Sequence, residues 1–152
     1  MESIALNRKA SFDYNFKDKI EAGLVLTGSE VKSLRKKNIS IKESYIGEKK
    51  SELWLFNCHI NNYQQSLKTN QVSPTRVRKI LLSKKEKDRV IGLQNKEGYS
   101  IVPISIYFNK RGFAKVLIGV GKGKKKYDKR QQIKKKDWNI QKQRILKNKS
   151  NR

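Results

Sequence analysis

The chain has 152 residues, with 37 Lys or Arg against 13 Asp or Glu, for a formal charge of +24. That length suits one domain plus a tail, and that charge opposes compaction until a polyanion neutralises it. A single cysteine excludes an internal disulfide, no stretch approaches the ~20 apolar residues of a spanning helix, and the N-terminus is too short and polar for a signal peptide. These features point to a cytoplasmic, soluble, polyanion-binding protein, with nucleic acid the first candidate and an anionic membrane the second; a monomer is expected.

Residues 1–19 are mixed and polar. The alternation of Phe12, Tyr14 and Phe16 predicts a short extended piece or a turn against the core. The apolar run at 20–26 reads as a strand. Glu21 inside it is expected to face solvent or a partner, because burying an unpaired carboxylate is costly. Thr27 followed by Glu30 forms a capping box that opens a helix over 29–37. Val31 and Leu34 turn inward there, and Lys32, Arg35 and Lys36 form a solvated face.

Residues 42–46 and 52–60 read as two strands around a turn at 47–51. In the second, Leu53, Leu55, Asn57 and His59 fall on one face, and Trp54, Phe56, Cys58 and Ile60 on the other. Cys58 and His59 therefore point apart, which excludes a nucleophilic pair, and one Cys with one His cannot build a structural zinc site. A polar loop covers 61–73. Arg76 and Arg78 share a side if their segment is extended. A second capping box, Ser83 with Glu86, opens a helix to about residue 95, with Val90, Ile91 and Leu93 as its buried stripe.

The turn at Glu97 and Gly98 leads to a strand at 101–108, where Pro103 marks an edge or a bulge. A hairpin turn at 109–112 returns the chain as a partner strand over 113–120, with Lys115 outward. About six strands and two helices result. The fold class is mainly β with two or three short helices: a small, oligonucleotide-binding-like antiparallel barrel over 1–121 plus a basic C-terminal tail over 122–152. Gly119, Gly121 and Gly123 alternate at the boundary and match no nucleotide-binding fingerprint. They read as a flexible strand exit, or as a place where backbone nears a phosphate.

The tail holds fourteen Lys or Arg and two Asp, about half the net charge in about a fifth of the chain. At 100° per residue, Ile133 falls with Ile140 and Trp138 with Ile145, while Leu146 joins neither, so no single apolar stripe forms. The tail is expected to be disordered alone and helical along a polyanion. No catalytic constellation, metal site or cofactor motif is present in the sequence, so no enzymatic activity is expected.

Several stretches together resemble the small protein B family (SmpB), the bacterial SsrA-binding proteins. They are I-A-L-N-R-K-A at 4–10, Phe16 through E-A-G at 21–23, T-G-S-E-V-K-S-L-R at 27–35, P-T-R-V-R-K-I-L-L at 74–82, I-G-V-G-K-G-K-K at 118–125 and D-K-R at 128–130. They follow the family's order over nearly the whole chain. The resemblance implies an oligonucleotide-binding-type barrel that holds the tRNA-like domain of transfer-messenger RNA. The complex enters stalled ribosomes for trans-translation, in which the nascent chain is tagged for proteolysis. Elongation factor Tu takes part indirectly, in delivery of the RNA.

By the same resemblance Asn7, Glu21, Leu81 and Lys115 belong to the RNA-facing surface. Arg76, Arg78 and Lys79 are candidate phosphate contacts on charge alone. Gly123, Lys124, Lys125, Tyr127, Asp128, Lys129 and Arg130 would reach the decoding centre of 16S rRNA and the empty message channel, with Trp138, Ile145 and Leu146 anchoring the helix formed there. Tyr127 and Phe12 stand where some relatives carry histidine; a tyrosine still stacks on a base. The competing reading is a generic basic RNA-binding or ribosomal protein, whose affinity would be almost wholly electrostatic and would collapse with salt. A membrane binder ranks last, because no amphipathic stripe with aromatic anchors is present.

Overall fold

A computed structural model describes residues 3–63, 72–95, 98–124 and 126–150. Most of the expected loop at 61–73 and the turn residue Glu97 lie outside the described residues. The elements are β1 (Ala5–Leu6), α1 (Arg8–Asp13), β2 (Tyr14–Leu24), α2 (Gly28–Arg35), β3 (Ile39–Ser40), β4 (Tyr45–Lys49) and β5 (Glu52–Phe56). They continue with β6 (His59–Ile60), β7 (Arg78–Leu81), α3 (Lys84–Gln94), β8 (Tyr99–Phe108), β9 (Ala114–Gly123) and α4 (Lys126–Ser150).

Seven strands form one antiparallel sheet in the order β1-β8-β9-β2-β7-β5-β4, and β3 pairs with β6 beside it. The sheet curls until β4 packs near β8 without pairing, so the architecture is a half-barrel. Its inner face holds the core. Ile20, Ala22 and Leu24 of β2 pack with Leu53 and Leu55 of β5, Ile80 of β7, Ile106 of β8 and Val116, Ile118 and Val120 of β9. Leu34 of α2 and Val90 of α3 are fully buried against that set. Arg89 of α3 pairs with Asp18 of β2.

Both caps open helices as their spacing requires, and at Thr27 the capping box is complete. Thr27 Oγ1 accepts the Glu30 N–H while the Glu30 carboxylate accepts the Thr27 N–H at 2.9 Å. Ser83 Oγ accepts the Glu86 N–H at 3.3 Å. Six strands of useful length match the six expected; the other three are two residues each, too short to carry a periodic signal.

Four local differences have physical causes. The segment expected as an extended piece or turn divides: Phe12 lies in α1, whose N-terminus Asn7 caps by accepting the Ala10 N–H at 3.2 Å, whereas Tyr14 and Phe16 are extended in β2. The first long strand begins at Tyr14 rather than residue 20, with a bulge between Phe16 and Asp18. The strand expected at 42–46 shifts to β4, and the turn narrows to Lys50 and Ser51, at φ 53° and 60°. Two consecutive positive φ values match the twist of a two-residue hairpin. The strand expected over 52–60 breaks at Asn57, φ 58°. That residue shifts the alternation by one, so Cys58 and Ile60 join Leu53 and Leu55 in the core, while Asn57 and His59 are exposed. Cys58 and His59 still point apart.

Pro103 sits at a bulge in β8, where the register with β9 shifts before Ser105. Gly119 and Gly121 are not a flexible exit. They lie buried within β9, where a Cβ on Gly119 would meet the Phe16 ring at 2.5 Å and one on Gly121 would meet the Asn15 carbonyl oxygen at 2.2 Å. Glycine here allows close packing of β2 on β9. Gly123 meets nothing within 4 Å.

Candidate nucleic-acid interface

Alternation along β2 sends Ile20, Ala22 and Leu24 inward and leaves Lys17, Lys19 and Glu21 exposed on the outer face. Register then extends that face across four strands. Leu81 of β7 lies opposite Gly23 of β2, Gly23 opposite Lys115 of β9, and Lys115 opposite Tyr107 of β8. Glu21 sits in the adjoining row, opposite Leu117. Three of the residues singled out in the sequence, Glu21, Leu81 and Lys115, therefore share one patch with Tyr107. Leu81 is about half exposed, at 51%. Lys79, two residues before Leu81, faces the same way and is half-buried.

The Tyr107 hydroxyl donates to the Glu21 carboxylate across the two rows. Its own pKa is pushed up to about 12, first by burial and then by the bond to Glu21 and that residue's negative charge. The donor thus keeps its proton through the neutral range and fixes the orientation of an exposed carboxylate on an otherwise cationic face. An oriented carboxylate can accept hydrogen bonds from ribose hydroxyls or base edges, which is readout by shape.

Beneath this face lies an ionic clasp. Glu30 is buried. Its Oε1 accepts from Arg76 Nη2 and its Oε2 from Arg78 Nε, both at 2.5 Å. Arg78 also donates to the carbonyls of Cys58 at 2.6 Å and Pro74 at 3.0 Å, and has no exposed surface. Burial pushes the Glu30 carboxyl up, but the bonds from Arg76, the Thr27 N–H and Arg78 together hold it below its ordinary value. The thiol of Cys58 is pushed up to about 11 by its burial, the Arg78 charge offsetting only part. The two arginines do share a side, as their spacing implied; that side faces Glu30. Arg76 keeps part of its side chain at the surface, at 33%, whereas Arg78 cannot reach a phosphate without leaving the core.

Asn7 is likewise internal. It caps α1 and donates through Nδ2 to the Ile41 carbonyl at 3.3 Å and the Pro103 carbonyl at 3.2 Å. It joins α1, the segment after β3, and the β8 bulge. At the end of β9, Gly123 is exposed, and Lys124 donates through its backbone N–H to the Asp13 carbonyl at 2.7 Å and through Nζ to the Ser11 carbonyl at 3.1 Å. Lys125 lies outside the described residues. Tyr127, Asp128 and Lys129 fall in the first turn of α4, followed by an exposed Arg130. Trp138, Ile145 and Leu146 are all more than half exposed.

Sequence reasoning missed the Glu30 clasp and the Tyr107 partner. Both join residues far apart in the chain, 46, 48 and 86 positions, and no local pattern encodes them. Among the described residues, no group of three or more His, Cys, Asp or Glu is placed to hold a metal ion, and no helix is long and apolar enough to cross a membrane.

A curled antiparallel half-barrel with a basic outer face, followed by a basic helix, defines the class of small oligonucleotide-binding barrels. The family described as SmpB protein matches residues 4–148. An SsrA-binding protein of Exiguobacterium sp. is 53% identical over 135 residues, covering 89% of this chain and 85% of that one. Another, from Wolbachia pipientis wMel, is 49% identical over 148 residues, covering 97% and 99%. A solved chain described as "tmRNA-SmpB: a journey to the center of the bacterial ribosome" superposes with a TM-score of 0.66 at 42% identity, covering 80% of this chain and 84% of that one. The chain belongs to the SmpB protein family.

Proposed function

We propose that this chain binds the tRNA-like domain of transfer-messenger RNA through the outer face of its half-barrel and carries that RNA to stalled ribosomes for trans-translation. It acts by binding alone, in the cytoplasm, as a monomer, and elongation factor Tu meets it through the RNA. Glu21, Lys115, Leu81 and Lys79 touch the RNA, with Arg76 at the margin. Asn7 and Arg78 support that surface from inside. The tail, expected over 122–152 and following β9, which ends at Gly123, enters the decoding centre and the message channel. It is helical there, where ribosomal RNA cancels its charge, and disordered when free, because Lys134, Lys135 and Lys136 repel one another.

Family membership supports the reading, and one observation carries the specific part of it. An exposed carboxylate is held in place by Tyr107 on a face otherwise cationic. Plain electrostatics would discard that negative charge; shape-specific recognition uses it.

The test compares the tRNA-like domain with an ordinary tRNA of similar length, at low and moderate salt, for the full chain and for Glu21→Ala. The wild type should prefer the tRNA-like domain at moderate salt. Glu21→Ala should lose about ten-fold or more in affinity for it, the scale of a hydrogen bond to a charged group. Equal binding of both RNAs, fading together with salt and unharmed by Glu21→Ala, would instead make this a generic basic RNA binder.

A further inference from the structure

Three aromatic rings lie together on the outer face of the β4–β5 hairpin, to one side of the Glu21 patch. Tyr45 and Phe56 are register partners, and their rings stack with centroids 5.2 Å apart and planes 11° apart. Next along, Gly47 lies opposite Trp54. A Cβ at Gly47 would come within 3.0 Å of the Phe56 ring, so glycine keeps room for that ring. The Trp54 indole N–H donates to the Lys49 carbonyl at 3.2 Å, which fixes the ring. Trp54, Val77, Lys49 and Lys50 wall a cleft of about 290 Å³.

These rings are not core. The core side of the same hairpin is Ile46, Leu53 and Leu55, all 2% exposed or less. A sheet face that met only water would carry polar residues here. The rim is cationic: Lys49 and Lys50 at the hairpin end, and Lys79 opposite Trp54 on β7. Of the nearby carboxylates, Glu52 is paired with Lys87 at 3.2 Å, Glu48 lies opposite Leu53, in a core-side register position, and Glu43 lines a cavity with Tyr45 beside Lys9 and Lys42. The strip is also continuous with the Glu21 patch, because Lys79 and Leu81 are two residues apart on one strand, about 7 Å.

We propose that this strip is a base-stacking platform for the same RNA. One unpaired base enters the Trp54–Val77 cleft, a neighbour stacks on the Tyr45–Phe56 pair, and Lys49, Lys50 and Lys79 neutralise the intervening phosphates. Aromatic rings interleaved with lysines on an open sheet face bind single-stranded nucleotides because every base has a π-face. The proposal rests on the reading of the Glu21 patch as an RNA surface and extends it to a second, separately testable contact.

The full chain is used in a Trp138→Phe background, where Trp54 is the sole indole. Titration with the tRNA-like domain should quench Trp54 emission in step with binding measured independently. Trp54→Ala should weaken binding about ten-fold, as loss of one stacked base does, and Trp54→Phe should restore most of it. Lys49→Gln with Lys50→Gln, both exposed and outside the core, should weaken binding several-fold and flatten its salt dependence. Suppose emission is unchanged and Trp54→Ala binds like its parent, while the parent still prefers the tRNA-like domain and Glu21→Ala loses that preference. Then the strip is overturned and the Glu21 patch stands. A parent with no preference overturns both.

Discussion

In the half-barrel, Leu34, Leu55, Val90, Ile106, Val116, Ile118 and Val120 have no exposed surface; in α4, Trp138, Ile145 and Leu146 are 65, 57 and 60% exposed. The residue types are similar and the outcomes opposite. The half-barrel's apolar residues recur with a period of two on strands whose neighbours supply a matching face, so burial itself specifies the structure. In α4 they fall at angles that form no common stripe: Ile133 lines a cavity with Phe12 of α1, while Trp138, Ile145 and Leu146 stay exposed. One region has a core complete in itself. The other presents apolar side chains that only a partner can cover.

The sharpest way to break this contrast is to attack the half-barrel from within. Glu30→Ala leaves Arg78 buried without its carboxylate, which should cost about 3–5 kcal/mol, read as a lower midpoint in urea denaturation followed by tryptophan fluorescence. The sign with pH follows from the depressed carboxyl. Its contribution is present above the ordinary value of 4.5 and is lost as pH falls through the lower folded value. Wild-type stability should therefore drop on acidification in a component that Glu30→Ala lacks. A variant as stable as wild type at neutral pH would show that the clasp does not hold α2 to β7.

A middle-sized effect should mark where the half-barrel ends. Gly121→Ala forces a methyl against the Asn15 carbonyl and should destabilise by about 1–3 kcal/mol. Gly123→Ala meets open space and should stay within about 0.5 kcal/mol of wild type. Equal losses at both positions would extend the packed region beyond Gly121.

The smallest stability effect belongs to α4. Trp138→Ala with Ile145→Ala should leave the unfolding free energy within about 0.5 kcal/mol of wild type, yet reduce tagging of nascent chains in a reconstituted translation reaction. A midpoint lowered by several degrees would mean that α4 docks on the half-barrel, and the contrast would fall.

What the sequence made legible was local. The helix caps at Thr27 and Ser83, the hairpin turn at 109–112, the exposure of Glu21 and the opposed directions of Cys58 and His59 all follow from residues within a few positions of one another. The helix α1 was missed because it is only six residues long and carries no helical apolar period after its cap, Asn7. The face assignment past Asn57 failed because one left-handed residue inverts a period of two. The patch was half legible: Glu21 betrayed itself as a carboxylate inside an apolar run, but its partner Tyr107 is 86 positions away. Arg78 looked like a phosphate contact because an arginine that binds a phosphate and one that binds a buried glutamate are alike in sequence. Only the half-barrel's interior separates them.

The strand order has a consequence for how the chain is made. β9 lies between β2 and β8, so nearly all of β2 remains without its main partner until residue 123 has been synthesised. β7 engages β2 only at Gly23 and Leu24. At about 5–20 residues per second, the interval from β7 to β9 lasts on the order of seconds. Throughout it, the alternating apolar edge of β2 is open to aggregation or chaperone capture. Closure of this half-barrel thus waits on the synthesis of β9.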